Sequence, residues 1–308
     1  SRKITIDSET IESLPIRDLN EVYALQSGVV RVQSRIHGIP DYEEKGLEEV
    51  HVRGGRSGEI AYMMDGMYLR NPIFNVIGTG TRLNLMAIRQ LDWQPGGFNA
   101  EYGDAMSAVS NLHTRSGGKK FQYGLRYETS GVGASMGSSY DELRGYDDIS
   151  IGLGGPIWGF NKLSYWISGE YTNNSSARVF EFDDKIYQLL PELLSDGSNY
   201  QEYLNILDDN KENLVQPWDN EAGFRGFGFR KTWDVFSKLT FKPTNKIRLN
   251  ASYWQVANHQ KVFNPAFIFW DDGQTELFED TYRYYLEYNQ SVTSRTFFTV
   301  RTTRFIQD

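Results

Sequence analysis

Lys162-Leu163-Ser164-Tyr165-Trp166-Ile167-Ser168-Gly169-Glu170-Tyr171-Thr172-Asn173 alternates from one residue to the next. Leu163, Tyr165, Ile167, Gly169 and Tyr171 fall on one side, while the charged Lys162 and Glu170 fall on the other. Period two is the mark of a strand with unlike faces. Outward from this stretch the same pattern recurs in seven segments, roughly 120–131, 146–155, 162–173, 233–242, 246–257, 281–290 and 294–304. One face is Phe121, Tyr123, Leu125 and Tyr127; then Ile149, Ile151, Leu153 and Gly155; then the five residues above. It continues with Trp233, Val235, Ser237, Leu239 and Phe241, and with Ile247, Leu249, Ala251 and Tyr253. Tyr282, Tyr284, Leu286 and Tyr288 follow, then Thr296, Phe298, Val300 and Thr302. Thirty positions hold no charge in a chain that is 23% charged, where about seven would be expected. The opposite faces carry Arg126, Glu128, Asp148, Asp234, Lys238, Arg248, Arg283, Glu287, Arg295 and Arg301.

A clean face suits hydrocarbon, where an Arg or Lys at mid-depth costs roughly 2–4 kcal/mol. A soluble antiparallel sheet with one dry face also alternates. The connections separate the two readings. They run about 14, 6, 59, 3, 23 and 3 residues, so long and short ends alternate strictly. Membrane barrels have short turns at one rim and long loops at the other. Composition agrees: 14% aromatic residues, 29 Gly, no Cys and mean hydropathy −0.53. The missing cysteines exclude a disulfide framework and a thiolate site. Net charge −8 argues against a nucleic-acid partner. No Ser/His/Asp or paired-carboxylate arrangement stands out, so an enzyme is not expected. No cofactor or metal is expected either. Asp208-Asp209-Asn210-Lys211-Glu212 has Lys211 where a calcium loop needs an acceptor, and no glycine follows it.

Residues 1–118 have a different, mixed α+β pattern. Leu14 to Leu25 carries helical spacing, Val29 to Val32, Leu47 to Arg53 and Glu59 to Met64 read as strands, Leu83 to Ile88 as a short helix, and Leu91 to Trp93 and Ala108 to Thr114 as strands. Beyond Gly118 the helical signal mostly disappears, except at Asp184 to Leu214 inside the long connection. The expected organisation is a globule at 1–118, then a sheet at 119–308 with a long outer loop at 174–232. Seven strands are too few to enclose such a globule, since plugged lumens have about 22 strands. The chain therefore reads as part of a longer protein, and with no signal peptide before Ser1 it reads as mature or trimmed.

Three stretches of the globule carry a family likeness. They are His51-Val52-Arg53-Gly54-Gly55-Arg56 followed by Tyr62-Met63-Met64-Asp65-Gly66, then Gly96-Gly97-Phe98-Asn99-Ala100-Glu101-Tyr102-Gly103, then Val109-Ser110-Asn111-Leu112-His113-Thr114. In order and spacing they resemble the plug domain of TonB-dependent outer-membrane receptors. Gly154-Gly155-Pro156-Ile157 into Ser168-Gly169-Glu170-Tyr171 resembles the first barrel hairpin of the same receptors. The resemblance implies an α+β plug followed by an antiparallel transmembrane β-barrel in the outer membrane of a Gram-negative bacterium. It implies a TonB-type energy-coupling protein as partner, outer-membrane lipid around the barrel, and an imported ligand of unspecified chemistry. It also implies plug-motif roles for Gly54, Gly55, Tyr62, Asp65, Gly66, Gly97, Tyr102, Gly103, Asn111 and Thr114, and a plug–barrel contact at Arg53, Arg56 and Glu101. A second family arginine is replaced by Gln94, and no TonB box precedes Ile4. Alternatives within the same fold are a glycan importer with a surface lipoprotein and a barrel that docks a surface assembly or extracellular protein. The outer loop 174–232 has eleven acidic and six basic residues. Trp218, Phe224 and Phe227 in this loop, with Trp270 in the next long connection, are candidate ligand or partner contacts.

Overall fold

The computed structural model describes residues 3–14, 16, 19–32, 49–69, 81–99, 102–103, 105–182, 187–189, 215–217, 223–265, 274–293 and 295–308. The alternating segments form one antiparallel sheet of seven strands joined in chain order. They are β8 (Gln122–Thr129), β9 (Tyr146–Ile157), β10 (Phe160–Asn174), β15 (Phe229–Thr244), β16 (Ile247–Val262), β17 (Thr275–Ser291) and β18 (Phe297–Gln307). Between β10 and β15 the outer loop adds two short hairpins, β11 (Arg178–Phe182) with β14 (Gly223–Phe227) and β12 (Tyr187–Leu189) with β13 (Val215–Pro217). The strands extend past the segments expected from periodicity, because hydrogen-bonded pairing continues into the polar residues at the long-loop end.

Register joins the uncharged faces. Tyr165 pairs with Leu239, Leu239 with Ala251, Ala251 with Leu286 and Leu286 with Thr302. A slip of one residue in any pair would have turned one strand's apolar set inward. Tyr123, Leu125, Ile167, Leu239, Leu286 and Val300 are all exposed on this face. Arg304, opposite Tyr284, and Gln255, opposite Val235, lie on the same face toward the long-loop end of their strands. The tight ends are Trp158–Gly159, Asn245–Lys246 and the turn after Ser291. Gly159 has φ 82°, which a two-residue turn accepts most readily from glycine.

The first part of the chain forms a five-stranded sheet in the order β1-β6-β7-β4-β5. Its strands are β1 (Ile4–Asp7), β4 (Ile60–Met64), β5 (Met67–Tyr68), β6 (Ile88–Gln94) and β7 (Ala108–Thr114). A separate hairpin pairs β2 (Val29–Val32) with β3 (Glu49–Val52). Two short helices cover this sheet, α1 (Ser8–Ser13) and α2 (Leu19–Ala24). Asp7 caps α1 by accepting from the Thr10 amide at 2.9 Å. Helical spacing over Leu14 to Leu25 overstated α2, and 85–87 is a single 3₁₀ turn. Strand β1 was not anticipated, because four residues at a sheet edge leave almost no periodicity.

The small sheet lies against the inward face of the large one. Trp166, Phe236, Trp254 and Val256 project from that face and are buried in the same core as Val22, Tyr23, Ile60, Met64, Leu91 and Trp93. Burying each large side chain stabilises this contact by about 1.5–3 kcal/mol before entropy is counted. The crossing segment is tight. A side chain at Gly117 would collide with the Tyr165 backbone. Two short helices, α3 (Gly131–Ser135) and α4 (Ser139–Arg144), fill the first long connection, where no helix was expected.

Candidate functional site

Two groups of polar contacts fix the small sheet to the large one, besides a hydrogen bond from Arg126 on β8 to the Ile16 carbonyl at 3.2 Å. The first is built on the Met64-Asp65-Gly66 turn between β4 and β5. Asp65 has φ 52° and Gly66 φ 78°. An aspartate tolerates that left-handed backbone when its side chain is hydrogen-bonded locally. The Asp65 carboxylate accepts from the Thr114 amide at 3.0 Å and the Thr114 hydroxyl at 2.6 Å. The Gly66 amide donates to Asn111 Oδ1 at 3.1 Å. The large sheet then closes on the turn. Lys238 Nζ donates to Asp65 at 3.1 Å and to Thr114 Oγ1 at 2.8 Å. Arg283 Nη2 donates to the Met64 carbonyl at 2.9 Å, and the Tyr285 hydroxyl donates to the Asp65 carbonyl at 3.3 Å. Burial pushes the Asp65 carboxyl up, but the Lys238 ammonium, the two Thr114 hydrogen bonds and Arg283 outweigh it and hold it below its ordinary value.

The second contact is the segment ahead of β6. Arg82 donates to Glu170 at 2.7 Å. Asn84 gives its amide to Asp234 at 2.7 Å and its side-chain NH₂ to the other oxygen of the same carboxylate. Trp166 Nε1 donates to the Met86 carbonyl at 3.1 Å. Gly124 and Gly152 make room for the Met86 side chain. Strand β1 is held differently, by hydrogen bonds to its own sheet. Asp92 on β6 accepts from Lys3 at 2.8 Å, Thr5 at 2.9 Å and His113 at 2.8 Å.

Solved structures share this arrangement over nearly the whole chain. The copper transporter OprC superposes with TM-score 0.58 at 9% identity, over 99% of this chain and 36% of its own. The outer-membrane transporter YddB from Escherichia coli superposes with TM-score 0.59 at 12% identity, over 99% and 38%. The siderophore receptor PirA from Acinetobacter baumannii superposes with TM-score 0.57 at 14% identity, over 98% and 44%. All are TonB-dependent outer-membrane receptors. The chain has the plug-and-barrel fold of the TonB-dependent receptors. No protein-family model and no curated protein matches the sequence. The likeness is therefore one of fold, and the chain spans less than half the length of the receptor chains it matches.

In this fold the small sheet is the plug and the seven strands are the first part of the wall. Asp65, Gly66, Asn111 and Thr114 come together in one hydrogen-bonded knot. Tyr62 is buried in the plug core, edge-on to Tyr23 at 5.8 Å. Gly54 and Gly97 have φ 81° and 62°, and a side chain at Gly103 would meet nothing within 4 Å among the described residues. A side chain at Gly55 would meet Ser107. Arg53, at φ 52°, and Arg56 lie exposed on the turn after β3. No carboxylate of the described wall reaches either one. Glu101, Trp218, Trp270 and residues 208–212 lie outside the described residues; of the helical spacing read over Asp184 to Leu214, Tyr187–Leu189 is instead a short strand paired with Val215–Pro217, and the rest also lies outside them. Phe227 is buried against Phe180 and Phe263 at centroid distances of 5.9 and 5.0 Å. Phe224 packs edge-on to Tyr140 at 6.4 Å. These two rings therefore hold the outer loop together.

The wall partners Lys238, Arg283, Tyr285, Glu170 and Asp234 were visible only as inward charges or went unmarked, since alternation does not say which inward residue meets the plug. Asp92 supplies a prediction. Burial raises its carboxyl, but hydrogen bonds from Lys3, Gln90, His113 and Thr5 outweigh it and bring it to about 2, from the ordinary 3.8. A depressed carboxyl stabilises above its unfolded value and loses that contribution as pH falls. β1 should therefore loosen between about pH 4 and pH 2. A nitroxide on Glu9 should gain mobility over that interval, and Asp92→Asn should remove the step. Equal pH profiles for the two proteins would refute the clasp.

Proposed function

We propose that this chain is the plug, at about residues 1–118, and the first wall strands, at 119–308, of a TonB-dependent transporter in the outer membrane of a Gram-negative bacterium. Ligand would bind at the outer loops and plug apex. An energy-coupling protein in the periplasm would draw on the segment ahead of β1 and displace part of the plug to open a path. The observation that carries this reading is the two-faced sheet, with one side uncharged at the thirty alternating positions of its seven strands and the plug core seated on the other. The unequal attachment of the plug supports it. The Asp65 turn and the 82–86 segment are held by wall side chains, whereas β1 is an edge strand held within the plug. A pull on the N-terminus meets β1 first.

The chain carries no feature that names the ligand. Uptake should fall at least tenfold when the coupling protein is deleted; equal uptake would reject the reading. A docking role without transport would instead leave a surface partner bound and no uptake of any scarce nutrient.

A further inference from the structure

The crevice between the Asp65 turn and the wall is lined by more cations than anions, opposite in sign to the chain's net charge of −8. It encloses about 530 Å³ and its charged lining is Arg89, Lys238, Arg248 and Arg301 against Asp65 and Glu287. Both carboxylates are engaged, Asp65 by Lys238 at 3.1 Å and Glu287 by Arg301 at 2.7 Å. Arg89 and Arg248 have no carboxylate within ion-pair distance among the described residues. Arg248 is turned inward with one long hydrogen bond, from Nε to Asn250 Oδ1 at 3.4 Å. A second cavity of about 660 Å³ continues toward the short-turn rim, shares Arg248, Glu287 and Arg301, and adds Lys242 and Lys246. Six cations thus face two anions along the wall, from the Asp65 turn to the short-turn rim, in a chain of net charge −8.

Such segregation sets a local field, and low-dielectric walls strengthen it. Two guanidinium groups without carboxylates present planar forks that match phosphate and carboxylate oxygens. A cation would be repelled here, and a neutral solute would gain nothing from the charges. We infer that the crevice between the Asp65 turn and strands β16, β17 and β18 is a binding site for a polyvalent oxyanion, phosphate- or carboxylate-bearing. As a station on an import path it rests on the function proposed above; as a binding site it does not.

The test uses the full chain, folded in detergent, with inorganic phosphate and citrate as probes and maltotriose as a neutral control. Calorimetric titration should show saturable binding of at least one of the two anions and none of maltotriose. Arg248→Gln and Arg89→Gln should each weaken anion binding at least fivefold. Arg144→Gln, at the long-loop end, should leave it unchanged. Circular dichroism and heat-modified gel migration establish that each variant is folded. The inference is overturned by the absence of saturable anion binding, by equal binding of maltotriose, or by an equal loss in Arg144→Gln. Because no coupling protein enters the titration, its failure would sink the site and leave the transport proposal standing. Loss of coupling-dependence in uptake would do the reverse.

Discussion

Asp65→Ala should destabilise the plug by about 3–5 kcal/mol, the loss expected when one partner of a buried ion pair is removed. The carboxylate takes three hydrogen bonds, two from Thr114 and one from Lys238. Without it the Lys238 side chain, 5% exposed, keeps only the Thr114 hydroxyl as a hydrogen-bond partner among the described residues. The Gly66 turn also loses the support that fixes its left-handed backbone. Urea unfolding of the plug, followed by protease susceptibility, reads the change directly. A second variant separates charge from packing. Asp65→Leu combined with Lys238→Met removes both charges and should recover more than half of the lost stability, because a buried pair can be replaced by apolar residues at little cost. A change below about 1 kcal/mol in Asp65→Ala would mean that the knot does not hold the plug. The acid dependence has a defined sign. The Asp65 carboxyl is depressed in the folded state, so its contribution is complete at neutral pH and disappears as pH falls below the ordinary 3.8.

The second large effect lies on the other side of the same sheet. Leu239 is exposed on the uncharged face, flanked by Tyr165 and Ala251. Leu239→Arg should cost roughly 2–4 kcal/mol in a bilayer, the penalty for a cation at the depth of the hydrocarbon. On a soluble protein the same exposed substitution would change stability by about 0.5 kcal/mol or less. Folding into lipid vesicles, measured by reversible denaturant titration, therefore discriminates sharply. Leu286→Arg, in the same row, should behave alike, whereas Asn289→Arg, turned inward near the short-turn rim, should be tolerated.

The outward face was legible because it is the simplest statement a strand can make. Leu163, Tyr165, Ile167, Gly169 and Tyr171 must all avoid charge, and the same need recurs in six further strands. The loop parity followed for the same reason, since short turns leave little room for other readings. The inward face was legible only as polar. Trp166, Phe236 and Trp254 sit at inward positions among charges, and nothing in their spacing says that the plug core covers them. Likewise Asp65, Gly66, Asn111 and Thr114 stood out by likeness to a motif. Their partners Lys238, Arg283 and Tyr285 lie more than a hundred residues away and meet them only through folding. Strand β1 and helices α3 and α4 were missed because each is six residues or fewer, too short for a period to register.

The central claim is that one face of the seven-stranded sheet touches hydrocarbon while the other holds the plug. Nitroxide labels placed singly at Ile167, Ser168, Leu239, Thr240, Tyr285 and Leu286, in the protein reconstituted into vesicles, test it most directly. Collision with oxygen and with a water-soluble nickel chelate should alternate with period two. Ile167, Leu239 and Leu286 should be open to oxygen and shielded from nickel, and Ser168, Thr240 and Tyr285 should be protected from oxygen by the plug. Equal nickel accessibility on both faces, or nickel reaching Leu239 freely, would contradict the account.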